Sequence, residues 1–247
     1  MENKPIVCIP SKNRPSTKTY QLFLDAGFEV YHFIEPQELE LYDVPNKVSI
    51  ELNDQGIGYV RNYVLNHARK NNWQWIIVCD DDVVSFGIYN GKTVKQDANI
   101  WYEIFDKVKD LPYEIVGINY TQHSWHEKTP VSINRKFAEV CVLLHVSNID
   151  WDYRPQFNLK EDRDFALQTI KYGYGVYRFN HYWFSCPDVG TNSGGLQDMY
   201  KQKKDELAAK KMSLEWAPFI KIGKKKTRID MKTDIKALAA YHNKQVL

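Results

Sequence analysis

A run of bulky apolar residues, Trp75-Ile76-Ile77-Val78-Cys79, stops at three consecutive carboxylates, Asp80-Asp81-Asp82, before Val83. The apolar part is continuous rather than alternating. That is the pattern of a strand covered on both faces, which requires a sheet with a layer on each side. Three adjacent anions at the end of such a strand repel one another, and each favours a neutral neighbour. A bridging cation removes that cost. Hard divalent ions such as Mg²⁺ or Mn²⁺ take oxygen ligands, typically one or two carboxylates plus the phosphates of a substrate. A solvated acidic turn capping the next element is the competing reading.

The chain of 247 residues suits one large α/β domain, or one domain with an appendage. No apolar run approaches the roughly 20 residues of a membrane span. The N-terminal Met1–Pro5 leads directly into a predicted strand and does not read as a signal peptide. Cys8, Cys79, Cys141 and Cys186 are widely spaced, and three of them lie inside apolar segments. Reduced, buried thiols and a cytoplasmic setting are the expectation. Charge is uneven along the chain. From Lys201 onward 13 Lys and Arg face 5 Asp and Glu, whereas the first 200 residues carry 20 against 26. A basic tail on an acidic body fits a polyanionic partner, and it equally fits a solvated lysine-rich helix.

Ile6–Pro10 reads as a first strand, followed by the loop Ser11-Lys12-Asn13-Arg14 between two prolines. A helix around Tyr20, Phe23 and Leu24 ends at Gly27, and a strand follows over Phe28 to Ile34. Glu35–Lys47 reads as loop, and Val48, Ile50 and Leu52 as a short strand. After the turn at Gly56-Ile57-Gly58, Val60, Tyr63, Val64, His67 and Ala68 share one helical face. Arg61 and Asn62 lie in its first turn, off that stripe. Further on come a helix through Trp101–Val108, a strand over Glu114–Asn119 and a long loop over Tyr120–Arg135. A strand over Phe137–Val146, a helix opening at Glu161-Asp162-Arg163-Asp164 and a strand over Gly175–Trp183 complete the body. The last 50 or so residues read as lysine-rich helices with a basic break at Lys224–Arg228. This order predicts a mainly parallel, twisted Rossmann-type sheet with helices on both faces.

Four features thus recur at predicted carboxyl ends of strands, where open α/β sheets bind ligands. They are the Ser11–Arg14 loop, Gly56-x-Gly58 with Arg61-Asn62, Asp80–Asp82, and Glu161-Asp162 about 80 residues further on. Together they resemble nucleotide-sugar-dependent glycosyltransferases of the GT-A fold. More narrowly, Ile9-Pro10-Ser11-Lys12-Asn13-Arg14, Gly56–Asn62 and Asp80-Asp81-Asp82-Val83 look like the TET/JBP-associated glycosyltransferases. Those enzymes are mostly phage-encoded and are proposed to glycosylate hydroxymethylated pyrimidines in DNA. The resemblance covers about residues 5–195, which sets a transferase domain over 1–195 and a basic helical extension over 196–247 packed on or beside it.

The resemblance implies that Pro10, Ser11, Lys12, Arg14, Gly58, Arg61, Asp80 and Asp81 hold a UDP-sugar. It also implies that a D-x-D motif holds Mn²⁺ or Mg²⁺ on the diphosphate. Asp82 is the first choice as direct ligand, and Asp80 would bind the ribose or the metal through water. Asp81 is expected to point inward, and His181 is available as a further ligand. The metal would stabilise charge on the departing phosphate. Asp162 is the expected general base, with Glu161 and Asp164 as runners-up and Glu161 also able to orient the acceptor.

A DNA acceptor, reached in an infected host cell if the gene is a phage's, needs phosphate contacts and access to the modified base. The basic tail could supply the first. Tyr120, His123, Trp125 and His126 are candidates for the second, and Thr191–Gly195 reads as a loop able to close over the donor. A polysaccharide or protein acceptor, or an inactive nucleic-acid-binding relative, remains an alternative reading of the same residues.

Overall fold

The computed structural model describes residues 4–187, 194–225 and 228–243. Its first half is a parallel array. β1 (Ile6–Ser11), α1 (Lys18–Asp25), β2 (Val30–Ile34), β3 (Lys47–Ser49), α2 (Ile57–Lys70) and β4 (Trp75–Cys79) follow in chain order. β1 pairs in parallel with β2 on one side and β4 on the other, and β2 pairs in parallel with β3. Thr17 starts α1 by accepting a 3.2 Å hydrogen bond from the Tyr20 amide, an N-cap that satisfies one of the helix's orphan donors.

The second half is mixed. It contains β5 (Ser85–Tyr89), β6 (Thr93–Gln96), α3 (Ile100–Val108), β7 (Ile115–Tyr120), α4 (Thr121–Ser124), β8 (Val131–Ile133), β9 (Cys141–His145), α5 (Glu161–Lys171) and β10 (Val176–Ser185). The sheet order is β3-β2-β1-β4-β9-β7-β10-β5-β6, with β8 beside β10. β9 runs antiparallel between β4 and β7, whereas β7 and β10 are parallel.

β4 shows why its sequence is apolar throughout. Ile76 and Val78 belong to the core beneath α2 and α5, with Val64, Leu65 and Phe165. Trp75, Ile77 and Cys79 belong to the opposite core, beneath α1 and α3, with Phe23, Trp101 and Ile104. Each fully buried side chain of this kind contributes roughly 1.5–3 kcal/mol.

Three parts differ from the sequence expectation. The β5–β6 hairpin went unread, although Asn90-Gly91 is a hairpin turn signal and Gly91 sits at φ 91°. The long loop after Tyr120 holds α4 and β8. The tail, expected as helices, is α6 (Gln197–Lys201), α7 (Lys204–Glu215), the hairpin β11 (Ile220–Lys225) with β12 (Arg228–Thr233), and α8 (Ile235–Asn243). The basic break Lys224–Arg228 therefore falls where β11 and β12 pair, Lys224 opposite Ile229, rather than between helices. Alternation of Ile220 and Ile222, then Ile229 and Met231, carried that signal beneath the lysines. Met212, Trp216, Ile220, Ile235 and Leu238 join the same core as α2 and α5, so these parts of the tail pack against the helices covering the main sheet.

Candidate active site

β1 and β4 end side by side, so the Ser11–Arg14 loop and the aspartate triplet meet. Ser11 Oγ donates to Asp81 Oδ2 at 2.7 Å and lies 2.9 Å from the Tyr42 hydroxyl. Arg14 pairs with the other Asp81 oxygen, and its Nη1 stands 3.5 Å from Asp82 Oδ2. Asp81 is 7% exposed. It points inward and joins the triplet to the first loop. Burial raises its carboxyl above the ordinary range, and Arg14 and Ser11 oppose that shift. Asp82, by contrast, keeps 27% of its side chain in solvent.

Asp80 faces α2. Arg61 Nη2 donates to Asp80 Oδ1 at 2.8 Å, and Arg61 Nε lies 3.6 Å from Glu161 Oε1, too far for a hydrogen bond. Arg61 is 4% exposed and lies over the ring of Tyr153, with 5.8 Å from its guanidinium carbon to the ring centre. The sequence placed it on an open helix turn, off the apolar stripe. The loop before α5 and the start of α5 fold over that turn and bury it. Burial disfavours its charge, but Asp80, Glu161, Tyr153 and Asp162 outweigh that and hold the guanidinium firmly charged. Asn62 clamps the same loop, since its Oδ1 accepts from the Tyr153 amide at 2.6 Å and its Nδ2 donates to the Tyr153 carbonyl at 2.5 Å.

The α5 carboxylates divide into two kinds. Glu161 is 4% exposed, and neither its Oε2 nor Arg61 Nε has a hydrogen-bond partner. Burial pushes the Glu161 carboxyl well up, Arg61 opposes, and Asp162 and Asp80 add to the rise. Burial likewise pushes the Asp80 carboxyl up to about 6 against the pull of Arg61, with Asp82 and Asp162 contributing. Asp162 is half-buried and accepts from the Arg163 amide at 2.7 Å. Asp164 is different. It is fully buried and bonded to Arg154 Nε at 2.7 Å, Trp216 Nε1 at 2.8 Å and Gln168 Nε2 at 2.9 Å. That saturated carboxylate ties α5 to the tail and has no lone pair to spare for a base's work.

Several expected contacts fall elsewhere. Pro10 lies within β1, buried and in register with Phe33. Lys12 Nζ is held by Glu35 at 2.8 Å and by Asp54, so its charge is committed within the loop. The Gly58 amide is taken by Asn158 Oδ1 at 2.9 Å, and a Cβ there would stand 3.2 Å from Pro155 Cα. Gly58 thus serves close packing against the loop before α5 and offers no free amide to a phosphate. His181 lies on β10, three strand spacings from β4, roughly 14 Å across the sheet. Its Nε2 is 3.0 Å from the Glu127 carbonyl oxygen and its ring meets Tyr89, so it is not gathered with the aspartates. Among the described residues no three His, Cys, Asp or Glu side chains converge as a ready-made metal cage.

Two tyrosines border these carboxylates, Tyr120, which the sequence offered as an acceptor contact, and Tyr200, which it did not mark. Tyr120, at the end of β7, feels the charges of Glu139, Asp162 and Asp80, and burial raises its hydroxyl pKa first. Tyr200, on α6 of the tail, is raised by burial and then by Asp162, Glu161 and Asp80. Gly195, just before α6, donates its amide to the Lys12 carbonyl at 3.1 Å, which moors the tail's start on the first loop. Nothing in the local sequence marks Tyr200, because its partners are set by the tail's path. Trp125 and His126 stack on each other at 3.9 Å, and Trp125 is 54% exposed. Of the Thr191–Gly195 loop, residues 191–193 lie outside the described residues.

A helix-covered sheet with Arg–carboxylate pairs gathered at the ends of β1 and β4 has its candidate site at the strands' carboxyl edge, where open α/β sheets bind ligands. Residues 5–195 match the TET-associated glycosyltransferase family, so the chain belongs to that family and is a glycosyltransferase. Among solved structures, CMP:2-keto-3-deoxy-manno-octonic acid synthetase complexed with CTP is similar, with a TM-score of 0.47 and 12% identity over 86% of this chain and 100% of that one. No curated protein matches the chain.

Proposed function

We propose that this glycosyltransferase moves a sugar from a UDP-sugar onto the hydroxymethyl group of a modified pyrimidine, hydroxymethylcytosine foremost, in DNA. The observation that carries the reading is the set of carboxylates Asp80, Glu161 and Asp162 around the buried Arg61, with Asp82 acting on Asp80 from beside Arg14, within a chain of this family. The donor set fits a divalent cation of the Mg²⁺ or Mn²⁺ type. Such ions need only one or two protein carboxylates beside diphosphate oxygens, and the Asp80 carboxyl, raised first by burial and then by Asp82 and Asp162, is one whose charge a cation would stabilise. Asp82, the more exposed of the pair beside Arg14, is the direct ligand, and Asp80 is the second. When bound, the metal supplies Lewis-acid stabilisation to the departing diphosphate.

The chain's own groups do the remaining work. Arg61 keeps Asp80 and Glu161 fixed in direction, and Arg14 orients Asp81 and Asp82. Asp162, open on one side, takes the proton from the acceptor hydroxyl as that oxygen attacks the anomeric carbon. The bond from that carbon to the diphosphate oxygen breaks, and UDP leaves with the electron pair. Glu161, buried and raised, orients the acceptor rather than accepting its proton. Tyr120 and Tyr200 border the same carboxylates and supply walls for the flat base. The flipped or single-stranded base would stack there, and the lysines of the tail would meet DNA phosphate. No helix among the described residues is long and apolar enough to cross a membrane, and a DNA acceptor places the reaction in the cytoplasm of a cell.

The test incubates the full chain with Mn²⁺, hydroxymethylcytosine DNA and UDP-glucose, UDP-N-acetylglucosamine or a UDP-pentose in turn. UDP release and a nucleoside mass increased by one sugar are expected with one donor. UDP-sugar turnover indifferent to DNA would overturn the DNA acceptor.

A further inference from the structure

A second cavity lies away from the carboxylates, and nothing in the proposed reaction uses it. It encloses about 570 Å³, within the range of ligand sites, between the segment Asp150–Arg154 and the end of α5. α5 begins with Glu161 at the active site, and Tyr172 lies just past its last residue. The two sites are therefore about 16 Å apart along one helix.

Its walls are aromatic. Tyr172 and Tyr174 are 52% and 38% exposed, and their rings lie 5.4 and 5.0 Å from that of Trp151. Its polar groups are mostly acceptors. Gln168 gives its amide nitrogen to the Asp152 carbonyl and to Asp164, which leaves its side-chain oxygen without a bond among the described residues. Asp150 makes no ion pair among the described residues, and Asp152 shares one oxygen with Arg69 at 3.1 Å. Trp151 itself is 5% exposed, and its Nε1 is buried without a partner. The frame is rigid. Arg69 donates to the carbonyls of Ile149 and Trp151, and Arg154 is fixed by Asp164 and Glu215.

We infer that this cavity binds a neutral saccharide. A pyranose presents an apolar C–H face, which stacks on tyrosine, and a rim of hydroxyl groups, which donate to carboxylates and amide oxygens. Phosphate and nucleic-acid backbone are excluded, because Asp150 and Asp152 repel them while Arg154 is already neutralised. A polyamine would engage the same carboxylates without stacking on the tyrosines, and spermidine serves as the competing probe. The site gives the enzyme a hold on a sugar outside the reacting centre, and it does not depend on which acceptor the centre takes.

The experiment uses the full chain with saturating UDP to fill the donor site. Maltotriose and the methyl glycosides of glucose, N-acetylglucosamine and arabinose are the probes, followed by saturation-transfer NMR and tryptophan fluorescence. Transfer to carbohydrate C–H protons, with binding in the millimolar range, is expected for at least one probe. Tyr174→Ala should weaken it by roughly tenfold or more. Tyr172→Phe should retain it, and Asp82→Ala should leave it intact even if it abolishes sugar transfer. No transfer to any saccharide would overturn the inference. So would loss of binding in Asp82→Ala, or binding of spermidine in place of the sugars.

Discussion

Two arginine–carboxylate networks flank the first turn of α5, and they are built to different standards. Around Asp164 every group is satisfied. Arg154, Trp216 and Gln168 all donate to it, and Arg154 also reaches Glu215. Around Glu161 the bonding is incomplete. Arg61 Nε and Glu161 Oε2 are buried without partners, and Asp80 and Glu161 are both held above their ordinary ranges. Burying polar atoms without partners costs about 1–3 kcal/mol each, a cost a purely structural network avoids. The contrast separates residues only three positions apart. Asp164 fastens the tail to the body, whereas Glu161 and Asp162 are kept ready for something that is not protein.

The largest effect should come from the unsatisfied side. Asp82→Ala should lower kcat by on the order of a hundredfold, because a lost metal ligand removes several kcal/mol of transition-state stabilisation. The unfolding midpoint should hardly move, since Asp82 is partly exposed and its nearest arginine nitrogen is 3.5 Å away. Activity assays beside thermal melts check both halves. The satisfied side should respond in the opposite sense. Trp216→Phe keeps an aromatic ring but removes the indole N–H that donates to a buried carboxylate, along with part of the buried volume. It should cost about 1.5–3 kcal/mol in denaturant unfolding while leaving turnover per folded molecule near normal.

A smaller effect is electrostatic. The folded Asp80 carboxyl titrates near 6, above its ordinary value of 3.8. A carboxyl raised by folding favours the folded state while protonated. Its contribution is full below about pH 4 and is lost as pH rises through about 6. In EDTA, stability should therefore fall between these values more steeply in the natural protein than in Asp80→Asn. The difference is about 1 kcal/mol once solvent screening at this partly exposed group is allowed for. Identical pH profiles would show that the carboxylates do not crowd one another.

Much of this contrast could be read in the chain beforehand. The unbroken apolar run of β4 announced a doubly covered strand, and the three aspartates at its end announced concentrated charge. Asp81 was also expected to point inward, and the structure has it bonded to Ser11 and Arg14. The burial of Arg61 could not be read, because periodicity assigns faces within one helix and is blind to a loop arriving from 90 residues away. For the same reason Asp164 looked equivalent to Asp162. Both are acidic residues of a helix start, and only the tail's Trp216 and the loop's Arg154 tell them apart. His181 illustrates the converse error, since a metal-binding residue type in a plausible order was separated from β4 by two whole strands. The β5–β6 hairpin was legible from Asn90-Gly91 and was outweighed by the charged residues around it.

The comparison is tested most directly by Asp162→Asn and Asp164→Asn, measured together for UDP release on hydroxymethylcytosine DNA and for unfolding midpoint. Asp162→Asn should lose at least about a hundredfold in turnover and melt like the natural protein. Asp164→Asn should melt earlier, with Arg154 left facing an uncharged amide, and should retain turnover per folded molecule. The reverse pattern, an active Asp162→Asn beside a stable but inactive Asp164→Asn, would contradict the assignment of the two networks.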